Sequence, residues 1–277
     1  MKKNERAAAI VRTIVVSLIA VLFVVPLVWM VLSSLKTAPE VFARPFHWLP
    51  ARVQWQNYAT VWMNEEASML RAFANTLYIA LFSIIGQMFI SSLAAYSFAK
   101  INFKGKQVVF MLFLSSMMVP SQLTIIPRFM LFKTIGLYNN LWAIILPAFF
   151  GATSIFMLRQ FYMGLPNDLI EAAKIDGAGH LRIFLRIMLP LTKAALMSLI
   201  ILAFISSWNE YMAPLIFLVK KELYTVSQNI QWYMLDEFKE HNLTMAAATS
   251  AIVPVVILFI VGQKYFVEGI ATSGMKN

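Results

Sequence analysis

Six runs that contain no Asp, Glu, Lys or Arg divide this chain of 277 residues, and they constrain its fold more than any other feature. Five of the runs reach the roughly 20 apolar residues that a helix needs to cross the hydrocarbon core of a bilayer. The remaining run is shorter, and we expect it to cross by continuing past Glu210 as far as Val219. In chain order the runs are Thr13–Leu35, Ala72–Ala99, Gln107–Pro127, Thr134–Leu158, Ala194–Asn209 and Asn242–Gln263.

The composition is that of a membrane protein. Hydrophobic residues make up 60% of the chain and charged residues 13%, whereas soluble domains carry about 25% charged residues. Strands are disfavoured, because barrel strands alternate apolar and polar residues and these runs are apolar on all sides. The sequence therefore predicts an all-α polytopic membrane protein with six transmembrane helices. The lack of Cys excludes disulfides, a thiolate nucleophile and a Cys-ligated metal.

The distribution of basic residues predicts the orientation of the chain in the membrane. If the N-terminus lies inside, the inner segments hold 14 of the 23 Lys and Arg residues. This arrangement follows the positive-inside rule and places both termini in the cytoplasm. The seven Trp residues agree with it, since they lie in outer loops or near outer helix ends. We interpret the net charge of +10 as a topology signal and expect no binding of nucleic acid.

The loops suggest how the chain is divided. The first outer loop is long, Lys36–Arg71, and so is one inner segment, Arg159–Lys193. We expect residues 1–71 to form the first helix with its outer loop, and residues 72–277 to form a core of five helices. The first apolar run is too long for a signal peptide and lacks a small-residue cleavage site, so we expect it to be retained.

The inner segment is too polar to span the membrane and has the pattern of a short amphipathic helix. Asp168 and Glu171 have the spacing of a capping box, and Gly177 suits the position after a helix C-terminus. One interpretation is an interfacial elbow between two spans. The other is a docking helix, which would offer a small Ala172–Ala173 face and the carboxylates of Glu171 and Asp176 to a second protein.

A longer pattern in the same segment favours docking. It reads Glu171-Ala172-Ala173, then three residues, Gly177, nine residues, Ile187, one residue, and Leu189-Pro190. This pattern resembles the EAA signature of permeases from ATP-binding-cassette (ABC) importers. The resemblance extends to Phe73–Leu77, Met118–Pro120 and Trp208–Tyr211. Phe266–Gly269 and Gly274–Lys276 are similar to the tail of the smaller permease subunit of the maltose-type family. Together these stretches indicate the carbohydrate-uptake branch.

The resemblance implies a permease subunit in the cell membrane of a prokaryote, which moves a sugar, and specifically an oligosaccharide, inward by alternating access. It implies as partners a second homologous permease subunit, two cytoplasmic ATPase subunits, an extracellular or periplasmic sugar-binding protein and the lipid bilayer. An EAA loop, residues 164–192, would dock on the ATPase, and residues 264–277 would form a cytoplasmic tail. The coupling residues it implies are Glu171, Ala172, Ala173, Asp176, Gly177, Ile187, Leu189 and Pro190.

The sequence contains no pattern of catalytic or metal-binding residues. Gly105-Lys106-Gln107 lacks the first Gly and the Ser/Thr of a phosphate-binding loop. The three His residues are scattered without the spacing of metal ligands. We therefore expect a subunit that is not itself an enzyme and has no cofactor or metal.

The interiors of the predicted spans contain no charged residue, which argues against a carrier driven by protons or sodium. Uncharged polar residues are present, and close packing of helices explains most of them. A minority would suit a path for a neutral, hydroxylated solute. The candidates for this path, with one carboxylate at an outer helix end, are Asn75, Gln87, Gln122, Asn209 and Glu210.

Two alternatives belong to other classes of protein. A secondary transporter or channel would need intramembrane ionisable residues or an inverted repeat, and a membrane-embedded enzyme would need a catalytic cluster. The sequence gives no sign of either. Within the resembled family, a permease for an amino acid or phosphate stays open, because the EAA signature is shared among them.

Overall fold

The computed structural model describes residues 2–235 and 240–274, and the side chains of residues 2–5, Ala7 and 264–274 lie outside that description. Every regular element in these ranges is a helix, so the predicted all-α class is confirmed. A π-helical turn, Phe184–Met188, and a 3₁₀ turn, Lys221–Leu223, complete the set. The α-helices are α1 (Lys2–Ser33), α2 (Ala38–Val41), α3 (Gln56–Met63), α4 (Met69–Lys100), α5 (Lys106–Ser116), α6 (Ser121–Thr134), α7 (Trp142–Ala148), α8 (Ala152–Met163), α9 (Asp168–Ile175), α10 (His180–Ile183), α11 (Leu189–Leu191), α12 (Lys193–Trp208), α13 (Met212–Phe217), α14 (Val226–Tyr233) and α15 (His241–Gly274).

Four segments of the described chain are long and apolar enough to cross a membrane. They are Ala8–Ser33, Met69–Lys100, Trp142–Met163 and His241–Gln263. Two further pairs of helices pass the same test together but are sharply bent, and counting each pair as one span raises the number to six. The chain is thus a polytopic membrane protein.

The first bent pair stands where the sequence predicts the third span, Gln107–Pro127. Helices α5 and α6 meet at 94°, and the break covers residues 117–120. Pro120 is the N-cap of α6. Because proline has no backbone N–H, it cannot donate the hydrogen bond that would continue α5. Helix α6 then runs to Thr134, so the predicted fourth span begins too early: the next helix starts only at Trp142.

The second bent pair, α10–α11 with α12, turns by 77° around Thr192. The expected continuation past Glu210 to Val219 is wrong, because α12 ends at Trp208. The Glu210 carboxylate accepts a hydrogen bond from the N–H of Ala213 at 3.0 Å. A side chain in this role starts a new helix, α13, instead of extending the old one.

One compact unit contains residues 1–70 and 229–253. The Asn57 amide donates to the carbonyls of Ser34 and Lys36, both at 2.8 Å, and accepts from Asn242 at 3.0 Å. Burial raises the pKa of Tyr233 to about 12. Its phenol therefore stays protonated and donates to the carbonyl of Ala67 at 3.1 Å. These bonds fasten the loop after α1 to the segment before α15.

The second compact unit contains residues 71–228 and 254–277 and holds the main buried clusters. In one of them Ile79 of α4 packs with residues of α6, α7 and α13, among them Phe132, Ile145 and Phe217. Both units are defined by contacts alone. The functional division at residues 1–71 and 72–277 stays a prediction.

Close packing in the second unit depends on Gly86 of α4. A Cβ at this position would lie 2.2 Å from the ring of Phe149, in the break between α7 and α8. At Gly262 of α15 the added Cβ would instead meet the flexible Cδ1 end of Ile201 at 2.6 Å. The partly buried ring of Phe149 moves as a rigid body, whereas rotation about one side-chain bond moves the Cδ1 of Ile201.

We therefore expect Gly86→Ala to lower the free energy of unfolding by about 1–3 kcal/mol, the usual range for overpacking. Gly262→Ala is the control and should cost less, because Ile201 can change rotamer. The measurement is the apparent melting temperature of the purified protein in detergent. Equal shifts for the two variants would contradict the role assigned to Phe149.

Candidate functional site: the EAA segment and a polar cavity

Helix α9 packs against the helical bundle with one narrow face. Ile170 and Ala173, three residues apart, are 5% and 8% exposed and share one buried cluster. An eight-residue helix is marginal alone, because nucleation is costly. Its position therefore depends on this burial. The other buried members of the cluster are Met88, Ala95, Tyr96, Leu158, Tyr162, Ile183, Phe184, Met188 and Leu199.

The outward face of α9 differs in one respect from the predicted docking face. Glu171, Ala172 and Asp176 are exposed, as docking requires. Ala173 is not part of that face, because it packs into the cluster beneath the helix. The small side chain of Ala173 therefore lets α9 approach the bundle closely, whereas the prediction assigned that close approach to a second protein.

Gly177 caps the C-terminus of α9, as the sequence predicts. Gly177 has φ +77°, the left-handed conformation. Its N–H donates to Lys174 O at 3.0 Å, and the next N–H, of Ala178, donates to Ala173 O at 2.9 Å. This pair of bonds is a Schellman motif. Space for a Cβ is open at Gly177, so the conformation alone explains the glycine.

The N-terminus of α9 is fixed differently from the prediction. The capping box expected from Asp168 and Glu171 does not form, since the N-cap residue is Asn167 and no side chain caps the helix. The ammonium of Lys100, the last residue of α4, instead donates to Asn167 Oδ1 at 2.6 Å and to Leu165 O at 2.7 Å. Helix α4 is thereby connected directly to the start of the EAA segment.

The second half of the segment is held by packing. Ile187 and Leu189 are partly buried against the same cluster, while Pro190 is exposed in the first turn of α11. The N–H of Leu189 bonds to Phe184 O, five residues earlier, which gives the π-helical turn. At the start of α10, His180 Nδ1 lies 3.0 Å from the hydroxyl of Tyr96.

Two apolar side chains of the segment that sequence reasoning missed point outward. Ile175 is 86% exposed and Leu181 is 66% exposed. Helical periodicity could have identified Ile175, because it lies five residues after Ile170 and therefore off the buried face. On α9, Ala172 and Ile175 are three residues apart and form an exposed apolar surface beside the carboxylates of Glu171 and Asp176, which we call the EAA face.

Within the second unit the helices line an open cavity of about 420 Å³. It contains Gln87, Gln122 and Glu210, three of the five predicted path residues. It also contains Arg128, which the sequence analysis missed because it placed the end of the span at Pro127. The lining residues are Ser83, Ile84, Gln87, Ser121, Gln122, Ile125, Arg128, Ile144, Pro147, Ala148, Phe150, Gly151, Ala203, Ser206, Ser207, Glu210, Met212 and Ala213.

The other two path candidates are not among the lining residues of this cavity, and both make local bonds. The Asn75 amide donates to the carbonyls of Glu222 and Tyr224, at 2.8 and 3.1 Å. The Asn209 amide donates to Ile205 O at 2.8 Å, one turn earlier in α12. These bonds give both residues a role in holding loops and helix ends.

Arg128 is the one basic residue among those that line the cavity. Its guanidinium lies 5.0 Å from the ring centroid of Phe217, within cation–π range. Glu210 lines the same cavity and attracts it electrostatically. Helix α6 thus extends past the charge-free run of the predicted third span and carries Arg128 just beyond its end. Among the described residues, no group of three or more His, Asp or Glu side chains is placed to hold a metal.

Together, the bent membrane helices and the outward EAA face define a permease of the importer type. The chain matches the model of the binding-protein-dependent transport system inner membrane components over residues 87–272, well over half of its length. It belongs to that family, as the EAA pattern predicts.

Several relatives are transport permeases of bacteria. The arabinooligosaccharides transport system permease AraQ of Bacillus subtilis is 32% identical, over 96% of this chain and 95% of that protein. The diacetylchitobiose uptake system permease NgcG of Streptomyces coelicolor is 29% identical, over 94% and 86%. The sn-glycerol-3-phosphate permease UgpE of Pectobacterium atrosepticum is 29% identical, over 94% of both chains.

A solved structure shares the fold. A chain from the crystal structure of a bacterial ABC transporter involved in the import of the acidic polysaccharide alginate superposes with a TM-score of 0.84. The two sequences are 23% identical, and the match covers 95% of this chain and 98% of the other. The fold of this protein is thus that of an ABC importer permease.

The two bonds of Lys100 yield a testable prediction. Lys100→Met removes both donors while keeping the length of the side chain, so the start of α9 should open more often. We expect hydrogen exchange of the amides of residues 168–173 to accelerate at least about threefold, as loss of a hydrogen bond worth roughly 1 kcal/mol implies. Lys104→Met, at an exposed position nearby, is the control. Unchanged exchange in the Lys100 variant would contradict this anchoring role.

Proposed function

We propose that this chain is the membrane-spanning permease subunit of an ABC importer that moves a sugar, and specifically an oligosaccharide, into the cell. The observation that carries the proposal is the EAA face itself. An exposed apolar surface bordered by carboxylates lies on a helix whose opposite side is buried against the membrane helices. The predicted coupling residues Glu171, Ala172 and Asp176 act there as contacts for a separate ATPase.

In this proposal the buried face of α9 transmits motion. Ile170 and Ala173 pack in one cluster with Tyr96 of α4 and Tyr162 of α8. Close-packed side chains move together because they leave no space to absorb a displacement. Closure of the ATPase on ATP would push α9, and α4 and α8 would move with it. Gly177, Ile187, Leu189 and Pro190 shape the segment and hold it against the bundle.

The topology belongs to the same proposal. We count one span for each bent pair, the second of them through α12, which gives six transmembrane spans with both termini and the EAA loop, residues 164–192, in the cytoplasm. The excess of Lys and Arg in the resulting inner segments supports this orientation. Part of the predicted tail, residues 275–277, lies outside the described residues.

The partners follow from the class of transporter. We infer two cytoplasmic ATPase subunits, a second homologous permease subunit and an external sugar-binding protein. The most apolar window of 18 residues within Ala8–Ser33 of α1 contains no residue that is buried against the described parts of this chain. That surface suits lipid or a second permease subunit. Alternating access is more readily built between two helical bundles than within one.

The names of the relatives support a saccharide as the solute, since two of the three refer to arabinooligosaccharides and diacetylchitobiose. The relative named for sn-glycerol-3-phosphate favours a second candidate, the import of a small phosphate ester. A permease for an amino acid is a further alternative from the shared EAA signature.

The experiment that tests the proposal is affinity purification of the tagged chain from its native membranes, followed by mass spectrometry and by ATP-driven uptake in proteoliposomes. We expect an ATPase subunit, a homologous permease and a saccharide-binding protein to co-purify. Recovery of the chain without any ATPase, or uptake that does not depend on ATP, would contradict the proposal.

Gly177→Val tests the C-terminal cap of α9. A residue with a Cβ pays roughly 1 kcal/mol or more in the left-handed conformation, so the end of α9 should distort. We expect at least about a threefold loss of co-purified ATPase per permease, with unchanged membrane insertion. Gly179→Val is matched to it: its Cβ also meets open space, but φ is −72°. Equal losses for the two variants would show that Gly177 has no special role.

Ile175→Asp tests the EAA face directly. The side chain is almost fully exposed, so a carboxylate there should leave the fold of the chain intact. Burying that charge in an apolar contact is costly. We expect the ATPase to be lost from the purified complex while the melting temperature of the chain alone stays constant. Val53→Asp, at an exposed position in the loop before α3, controls for the change in composition. Full recovery of the ATPase would exclude Ile175 from the contact.

A further inference from the structure

The cavity of the second unit has the dimensions and lining of a solute site. Its volume of about 420 Å³ lies in the range of roughly 300–1,000 Å³ that small-molecule sites occupy. Polar groups from three helices converge on it: Gln87 from α4, Gln122 from α6 and Ser206 from α12. The cavity therefore offers both hydrogen-bond donors and acceptors to a solute inside this one subunit.

Three interruptions of helices border the same space. Ser121 follows the break between α5 and α6, Phe150 and Gly151 form the break between α7 and α8, and Glu210 lies between α12 and α13. Backbone within a membrane leaves helical hydrogen bonding only where it is buried in protein or lines a polar cavity. The convergence of three such breaks on one cavity fits a site that receives a polar solute.

Two polar atoms at the cavity have no hydrogen-bond partner among the described residues. They are the hydroxyl of Ser83, whose residue is 3% exposed, and the Nε of Arg128. Leaving such a group buried and unpaired is destabilising, and more so when the group is charged. Each of the two groups can donate a hydrogen bond, and a rotation of its side chain towards the cavity would offer that donor to an oxygen atom of a bound solute.

The charges at the cavity distinguish between two kinds of solute. Arg128 and Glu210 are the charged residues that line it, and they balance. An anion would be attracted to Arg128 but repelled by Glu210, and such repulsion is strong where the dielectric constant is low. A neutral hydroxyl can accept from Arg128 and donate to Glu210.

We propose that Ser83, Arg128 and Glu210 form a solute site within this subunit, and that the site takes an uncharged, hydroxyl-rich solute such as a neutral saccharide. The inference rests on the proposed import function and adds to it a binding site and the charge of the solute. It distinguishes this chain from an importer of sn-glycerol-3-phosphate or of another anion.

The test is equilibrium dialysis on the purified complex of permease and ATPase subunits in nanodiscs, without the binding protein. The probes, at millimolar concentrations, are arabinotriose, diacetylchitobiose and sn-glycerol-3-phosphate. We expect at least one of the two saccharides to bind more tightly than the phosphate ester. Arg128→Gln should weaken saccharide binding about tenfold or more, because it removes a hydrogen bond from a charged donor. Ser83→Ala should weaken it about threefold to tenfold, because it removes a hydrogen bond from a neutral donor.

Two further variants separate a binding role from a structural one. Glu210→Gln keeps the acceptor for Ala213 but removes the negative charge, and it should strengthen binding of sn-glycerol-3-phosphate about tenfold. A purely structural residue would not change this selectivity. Lys133→Gln, at an exposed position in the last turn of α6, is the control and should bind every probe like the wild type.

Three results would overturn the assignment: no probe binds, sn-glycerol-3-phosphate binds more tightly than both saccharides, or Ser83→Ala and Arg128→Gln bind like the wild type. If Arg128→Gln does not assemble, Ser83→Ala and Glu210→Gln decide the question. Co-purification of the ATPase and ATP-driven uptake are measured on the same wild-type preparation. If they are intact while these binding results fail, only this inference fails, whereas their absence counts against the import function itself.

Discussion

Burial of one face of helix α9 against the membrane helices is the interaction on which the functional arrangement depends. The helix is too short to be stable in water on its own. Ile170 and Ala173 fix its rotation, Lys100 fixes its beginning and Gly177 fixes its end. With these three constraints in place, the remaining residues of α9 face outward. The exposed surface of α9 thus consists of the side chains that do not pack against the bundle.

The requirement that backbone groups in a membrane be hydrogen-bonded shapes the rest of the chain. Long helices satisfy it within themselves, and the structure departs from them in a few places only. At Glu210 a side chain takes over the role of the missing helical carbonyl by accepting the N–H of Ala213. At Pro120 there is no N–H to satisfy. These departures border one cavity, so the local chemistry that ends a helix also supplies the polar lining.

The contrast between Gly177, Ala173 and Arg128 shows how far the site could be predicted from sequence. The role of Gly177 was predictable, because a left-handed residue after a helix is decided by the chain immediately around it. The inward position of Ala173 depends on which face of α9 meets Tyr96 and Tyr162, which are distant in sequence. Arg128 was missed because a charge ends an apolar run in a sequence but not a helix in the structure.

By itself the sequence determined the class of the protein: helical, embedded in a membrane, and with an EAA segment in the family of binding-protein-dependent transport components. Composition and periodicity suffice for this, because the need to match a thickness of hydrocarbon acts on each run separately. Only the tertiary structure decided where the helices bend, which of the path candidates share a cavity, and that Arg128 and Glu210 face the same space. Those features depend on contacts between residues tens of positions apart. The hydrophobic pattern of a single run of residues does not identify which distant residues it will contact.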